Sequence, residues 1–245
     1  MSSHSRAVRR AREASETRRS PLPEFLGEHR LALFYLAGSL IIFVLLTVAV
    51  RQTRYFPFDL STTRWLQSFR SPTLDAVMEF VGYSGFFPQT VFVNALIIAV
   101  VYLCGLKRAA LTLLVGGVFV GITTTLLRYG LDRPRPSPDL VFVLQQVEKG
   151  HYSFPSGHVT GFTAILGFLL FLGLTRLRPS WHSRLILLLY AVYIALVGIS
   201  RIYVGEHWLT DVLGGYLYGS FCLVLMILLY RWLGARGRPA APPSP

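Results

Sequence analysis

Six long apolar stretches run through this chain, at about Leu31–Val50, Phe87–Cys104, Ala109–Leu127, Gly157–Thr175, Leu185–Ile199 and Val212–Leu229. A hydrocarbon core about 30 Å thick requires about 20 apolar residues from a helix that crosses it. Inside lipid the backbone must satisfy its own hydrogen bonds, and a helix does so within one segment. The pattern therefore predicts an all-α fold, a six-helix transmembrane bundle. Composition agrees: 53% of residues are hydrophobic and 15% charged, against about a quarter charged in soluble domains.

The net charge of +12 would fit a nucleic-acid partner if it formed a patch on a soluble module. Here the charges flank the apolar runs, so no nucleic-acid partner is expected. With the N-terminus inside, fifteen Lys and Arg residues fall in cytoplasmic segments, among them Arg6 to Arg19, Lys107, Arg108, Arg176, Arg178 and Arg184. Nine fall outside: Arg51, Arg54, Arg64, Arg70, Arg128, Arg133, Arg135, Lys149 and Arg201. The positive-inside rule then puts both termini in the cytoplasm and predicts a multi-pass protein of the plasma membrane. Cys104 and Cys222 lie in or beside apolar runs and read as small hydrophobes. There is no CxxC or Cys/His cluster to hold zinc.

Residues 1–28 are polar and Arg-rich without apolar periodicity, which predicts a disordered cytoplasmic tail. Residues 29–233 form the membrane domain, and the Pro/Ala/Gly-rich segment 234–245 is expected to be a second disordered tail. Between the first two spans, Phe58, Trp65, Leu66, Phe69, Leu74, Val77, Met78 and Val81 recur at helical intervals. That spacing fits one or two helices lying in the outer interface, or equally a packed extracellular loop.

Three short motifs stand at the outer ends of the runs: Arg128-x6-Arg135-Pro136, Pro155-Ser156-Gly157-His158, and Ser200-Arg201-x5-His207-x3-Asp211. His207 and Asp211 are four apart, so on a helix they share a face and the carboxylate can fix the ring's tautomer. Their plainer reading is a helix cap and a dipole charge. Ser156 and Gly157 open a helix whose free N–H groups attract anions, although a simple serine cap has the same signature. His158 projects from that helix start and can hold a proton near neutral pH. Arg128, Arg135 and Arg201 supply guanidiniums that match phosphate oxygens. Arg133, alternating with proline in Asp132-Arg133-Pro134-Arg135-Pro136, reads as a lipid-headgroup contact.

Taken in order, the motifs resemble those of the type 2 phosphatidic acid phosphatase and vanadium haloperoxidase superfamily: Lys-x6-Arg-Pro, Pro-Ser-Gly-His, and Ser-Arg-x5-His-x3-Asp. The resemblance covers about Arg51 to Leu229, and the last two motifs match at every defined position; Arg128 stands where the family usually has Lys. It implies His207 as a nucleophile forming a phosphohistidine, Asp211 orienting it and His158 as general acid. Arg128, Arg135, Ser156, Gly157 and Arg201 would then bind phosphate. It further implies no metal and no cofactor. The expected partners are the bilayer and a membrane lipid phosphate or diphosphate, of the undecaprenyl diphosphate, phosphatidic acid or phosphatidylglycerol phosphate type, hydrolysed at the outer face. A lipid phosphotransferase is the alternative within enzymes. A non-enzymatic lipid-phosphate binding or transport protein is the alternative outside them.

Overall fold

The computed structural model describes Phe25, residues 27–144 and residues 152–236. Among these residues the regular structure is helical throughout, in eight helices: α1 (Arg30–Gln52), α2 (Pro57–Gln67), α3 (Pro72–Tyr83), α4 (Gln89–Leu103), α5 (Lys107–Leu131), α6 (Gly157–Arg176), α7 (Trp181–Tyr203) and α8 (Leu209–Arg236). Five of them, α1, α5, α6, α7 and α8, are long and apolar enough to cross a membrane. The second expected span is shorter: α4 has 15 residues, a length of about 22 Å, less than the hydrocarbon core. The segment between the first two expected spans forms two helices, α2 and α3. The tail expected over residues 1–28 lies outside the described residues, apart from Phe25, Gly27 and Glu28. So does the second tail beyond Arg236, where α8 ends.

The chain divides into two units, Met1–Tyr35 and Leu36–Pro245. In the first, the Phe25 and His29 rings stack at 4.2 Å and His29 Nδ1 donates to the Phe25 carbonyl over 2.8 Å. Everything below concerns the second.

The breaks between helices follow local chemistry. Ser71 caps α3 by accepting from the Leu74 N–H, with Pro72 in the first turn. Ser180 caps α7 and Ser183 answers it. α5 ends at Leu131, and its C-cap Asp132 is held in the left-handed region at φ 45°, just ahead of Pro134.

Helix α6 packs against α5, α7 and α8. Its Ala164, Phe168 and Leu172 meet Leu113 and Val120 of α5 and Tyr218, Cys222 and Met226 of α8. In lipid, apolar burial does little to join helices, and close contact of small residues does more. Gly215 and Gly219, one GxxxG step on α8, supply that contact. A Cβ at Gly215 would lie 3.0 Å from the Ser156 carbonyl, and one at Gly219 would lie 2.8 Å from the Thr160 carbonyl. The backbone of α8 thus lies directly on the start of α6, which brings the second and third motifs together.

Helix α2 does the corresponding work at the loops. Arg64 donates through Nε and Nη2 to the Leu140 carbonyl, and Gln67 pairs with Phe142 at both its carbonyl and its N–H. Gln67 also donates to the Tyr203 carbonyl at the end of α7. Helix α2 therefore clamps the loop that follows the first motif.

Candidate active site

The turn Val204–Trp208 carries the chain from α7 to α8. The Arg201 carbonyl accepts from the N–H groups of both Glu206 and His207, each at 3.1 Å. Gly205 sits at φ +76°, where an L side chain is strained, and a Cβ there would strike the Phe142 carbonyl. This tight turn explains the five-residue spacing between Arg201 and His207.

His207 is not on a helix. It precedes α8, and Asp211 lies in that helix's first turn, accepting from the Trp208 N–H at 2.8 Å. The sequence expectation of a helical i, i+4 pair is corrected accordingly. His207 Nδ1 is 3.7 Å from Asp211 Oδ2, beyond hydrogen-bond reach. Ser153 fills the gap: its Oγ donates to Asp211 Oδ2 and stands 3.4 Å from His207 Nδ1. All three side chains are buried. Because the Ser153 proton goes to Asp211, its oxygen is free to accept from a protonated Nδ1. That order leaves the Nε2 lone pair of His207 unprotonated.

Burial first, and then the nearby Arg135, push the His207 pKa down to about 3, against the opposite pull of Asp211. The ring is consequently neutral at ordinary pH. Burial pushes Glu206 the other way, above the usual carboxylate range, and the positive charges of Arg201, Arg135 and Arg128 hold it back. Arg135, also desolvated, is lowered but drawn up by Glu206 and Asp211.

The guanidiniums surround this turn. Arg201 is fully buried. Its Nη1 is 3.3 Å from Glu206 Oε2, and its Nη2 donates to Ser200 Oγ at 2.8 Å and to the Met78 carbonyl of α3 at 3.4 Å. Arg135 donates to the Glu206 carbonyl at 2.9 Å and lies 3.9 Å from its carboxylate. Arg128 reaches back from α5 to the Tyr152 carbonyl, with Nη1 3.3 Å from the Cβ position of Gly157. Replacing the family's Lys, it uses its fork to hold the approach to α6.

At the start of α6 the Ser156 N–H donates to the Asp211 carbonyl at 3.0 Å. Ser156 is the N-cap of α6, yet its side chain makes no cap hydrogen bond, so the plain-cap reading does not hold. His158 packs edge-on to Phe86, ring centroids 4.6 Å apart, and against Gly85, where a Cβ would overlap its ring. Ser156 Oγ, His158 Nε2, Arg201 Nε and Glu206 Oε1 are all buried without a hydrogen-bond partner. Ser156 and His158 belong to the second motif, Arg201 to the third, and Glu206 precedes His207, so the unmatched atoms fall on the residues around the motifs.

Arg133 is no headgroup contact. It is 2% exposed, with Nη1 on Asp211 Oδ1 and Thr210 Oγ1 and Nη2 3.1 Å from Asp59 Oδ2. A guanidinium carried this deep is expensive unless paired, and here it has two carboxylates. Besides Arg133, sequence reasoning missed Asp59, Ser153 and Glu206. Asp59, a lone acid between Phe58 and Leu60, carried the one readable signal: an ionisable residue in apolar surroundings implies a partner.

Beside His158 lies a small cavity of about 60 Å³, lined in part by Gly85, Asn94, Ile97 and Ile165. Asn94, Ile97 and Ile165 also line a larger apolar cavity of about 640 Å³ between α4 and α5.

Comparison with known proteins gives one consistent result. The family model described as the PAP2 superfamily matches residues 109–235. Over 102 residues the chain is 32% identical to phosphatidylglycerophosphatase B of Bacillus subtilis, covering 41% of this chain and 47% of that protein. Over 129 residues it is 30% identical to an undecaprenyl-diphosphatase of Sulfolobus acidocaldarius, covering 49% and 55%. The chain thus spans about half the length of these curated relatives. The crystal structure of a transmembrane PAP2-type phosphatidylglycerolphosphate phosphatase from Bacillus subtilis superposes with a TM-score of 0.70 at 23% identity, covering 85% of this chain and all of that one. The shared fold is that of a multi-pass helical membrane protein. With its last four spans inside the matched region and the second and third motifs complete there, the chain belongs to the PAP2 superfamily.

Proposed function

We propose that the chain is a lipid phosphatase that removes a phosphoryl group from a membrane lipid phosphate or diphosphate through a phosphohistidine at His207. One observation carries this reading: the unpartnered buried atoms Ser156 Oγ, His158 Nε2 and Arg201 Nε, each able to donate, belong to the same motifs as a neutral histidine whose Nδ1 is engaged. Tetrahedral phosphate, with oxygens on all sides, suits such a set.

In the first step His207 Nε2 attacks phosphorus, a P–N bond forms and the P–O bond to the leaving group breaks. The Nδ1 proton moves towards Ser153 and Asp211 as the ring becomes cationic. His158 gives its proton to the departing oxygen. Arg128, Arg135, Arg201, Ser156 and the Gly157 N–H hold the equatorial oxygens. In the second step water, deprotonated by His158, attacks the phosphohistidine; the P–N bond breaks, inorganic phosphate leaves and His207 is restored. No metal takes part.

The apolar cavity between α4 and α5, sharing three residues with the pocket at His158, supports a substrate with long hydrocarbon tails. The charge bias of the loops supports a site on the outer face of the plasma membrane. Relatives named for phosphatidylglycerophosphate and undecaprenyl diphosphate indicate the headgroups to try first.

The test is phosphate release by the purified chain in detergent from phosphatidylglycerol phosphate, phosphatidic acid and undecaprenyl diphosphate, with and without EDTA. Wild type is expected to turn over at least one of them, unchanged by EDTA, and His207→Ala none. Undiminished release by His207→Ala would overturn the mechanism. Complete loss with EDTA, restored by magnesium, would overturn its metal independence.

A further inference from the structure

Behind Asp211 lies a second carboxylate that the three motifs do not contain. Asp59, on the first turn of α2, is fully buried and accepts four hydrogen bonds. Two come from Thr210, the neighbour of Asp211: its N–H to Oδ1 at 2.8 Å and its Oγ1 to Oδ2 at 2.9 Å. One comes from the Phe56 N–H at 3.0 Å, closing the start of α2. The last comes from Arg133 Nη2, whose Nη1 holds Asp211 Oδ1. Arg133 therefore bridges two carboxylates, and its Nε is tied to the Arg54 carbonyl at 3.3 Å.

This arrangement leaves two carboxylates sharing one guanidinium, hence a net negative charge behind Ser153 and His207. A single Asp211–Arg133 pair would be neutral, with the carboxylate's charge drawn away from the ring. Asp59 prevents that by taking half of Arg133. It also fixes the height of the first turn of α8, which sets where Asp211 stands relative to Ser153.

We infer that Asp59 and Arg133 are positioning residues that act through Asp211, so that α2 holds His207 in its reactive tautomer. The inference rests on the phosphohistidine reading for its kinetic consequences, though its tautomer readout needs no turnover.

The test compares wild type, Asp59→Asn, Arg133→Lys, Asp211→Asn and the Asp59→Asn/Asp211→Asn double variant as full chains in detergent. Asp59→Asn is expected to lower kcat about ten- to a hundredfold, the scale of losing an outer partner of a functional group, with KM within about threefold. The double variant should be no slower than Asp211→Asn alone, as expected of residues acting as one unit. A wild-type kcat in Asp59→Asn, or losses that multiply in the double variant, would overturn the inference.

Arg133→Lys keeps the charge but cannot fork between both acids, and should show a similar loss; it serves if Asp59→Asn does not fold. Independently, ¹⁵N-histidine spectra should show one His207 tautomer, protonated at Nδ1, in wild type and a mixture in Asp59→Asn or Arg133→Lys. An unchanged His207 signal in a folded variant would contradict the inference whether or not the protein turns over lipid. A wild type inert on every lipid phosphate would fail the phosphatase reading instead, and the spectra would still decide the role of Asp59.

Discussion

The two sides of Asp211 are built on opposite rules. Behind it, Asp59, Arg133, Thr210 and Ser153 are as deeply buried as any residues in the molecule, and each hydrogen bond they need is made within the protein. In front of it, Ser156, Arg201 and Glu206 are also buried and His158 is half-buried, and each leaves a buried polar atom unmatched. An unmatched buried group costs about 1–3 kcal/mol, so the front is the side where stability has been given up. A protein keeps such a deficit where a ligand relieves it, and satisfies everything around it to keep the deficit in shape.

That contrast can be broken by one pair of substitutions. On the front, Ser156→Ala removes a hydroxyl that has no partner, so thermal stability in detergent should hold or rise slightly, while kcat/KM falls about tenfold or more. On the back, Thr210→Val removes two hydrogen bonds, and should lower stability by about 1–3 kcal/mol with a smaller effect on activity per folded molecule. Thermal unfolding and phosphate-release assays on the two variants decide it. A Ser156→Ala variant that is destabilised but fully active would reverse the assignment of the two sides.

A smaller effect concerns pH. His207 has a folded pKa of about 3, below its usual value near 6.5. Between those values the unfolded chain binds the proton and the folded chain does not, so stability is lost as pH falls from about 6.5. Thermal unfolding from pH 7 to 4 should show this fall, and His207→Gln should flatten part of it. An identical pH slope in the variant would mean that His207 is charged in the fold.

Much of the front was legible in the sequence because its residues come in fixed short spacings. Arg201 and His207 are set by a turn that needs Gly205 and five intervening residues. Ser156, Gly157 and His158 are consecutive at a helix start. The back was largely illegible, because its partners are far apart along the chain: Asp59 meets Arg133 across 74 positions and Thr210 across 151. Arg133 misled for a related reason. In this Arg-Pro-Arg-Pro run Arg135 meets the Glu206 carbonyl while Arg133 turns to Asp59 and Asp211, and sequence alone does not show that acids wait there. The apolar runs announced the helices, but the close seat of α8 on α6 depends on Gly215 and Gly219, two small residues inside an apolar run. The shortness of α4 follows from Pro88 at its start and the turn at Gly105.

The most direct test of the whole account is to trap the reaction. Purified protein is mixed with a lipid phosphate labelled on the phosphoryl group, quenched within milliseconds to seconds in base, and mapped by peptide mass spectrometry. An acid-labile, base-stable phosphoryl group is expected on the peptide containing His207 and is expected to be absent from His207→Ala. A phosphoryl group on any other residue, or rapid turnover by a His207→Ala enzyme that carries none, would contradict it.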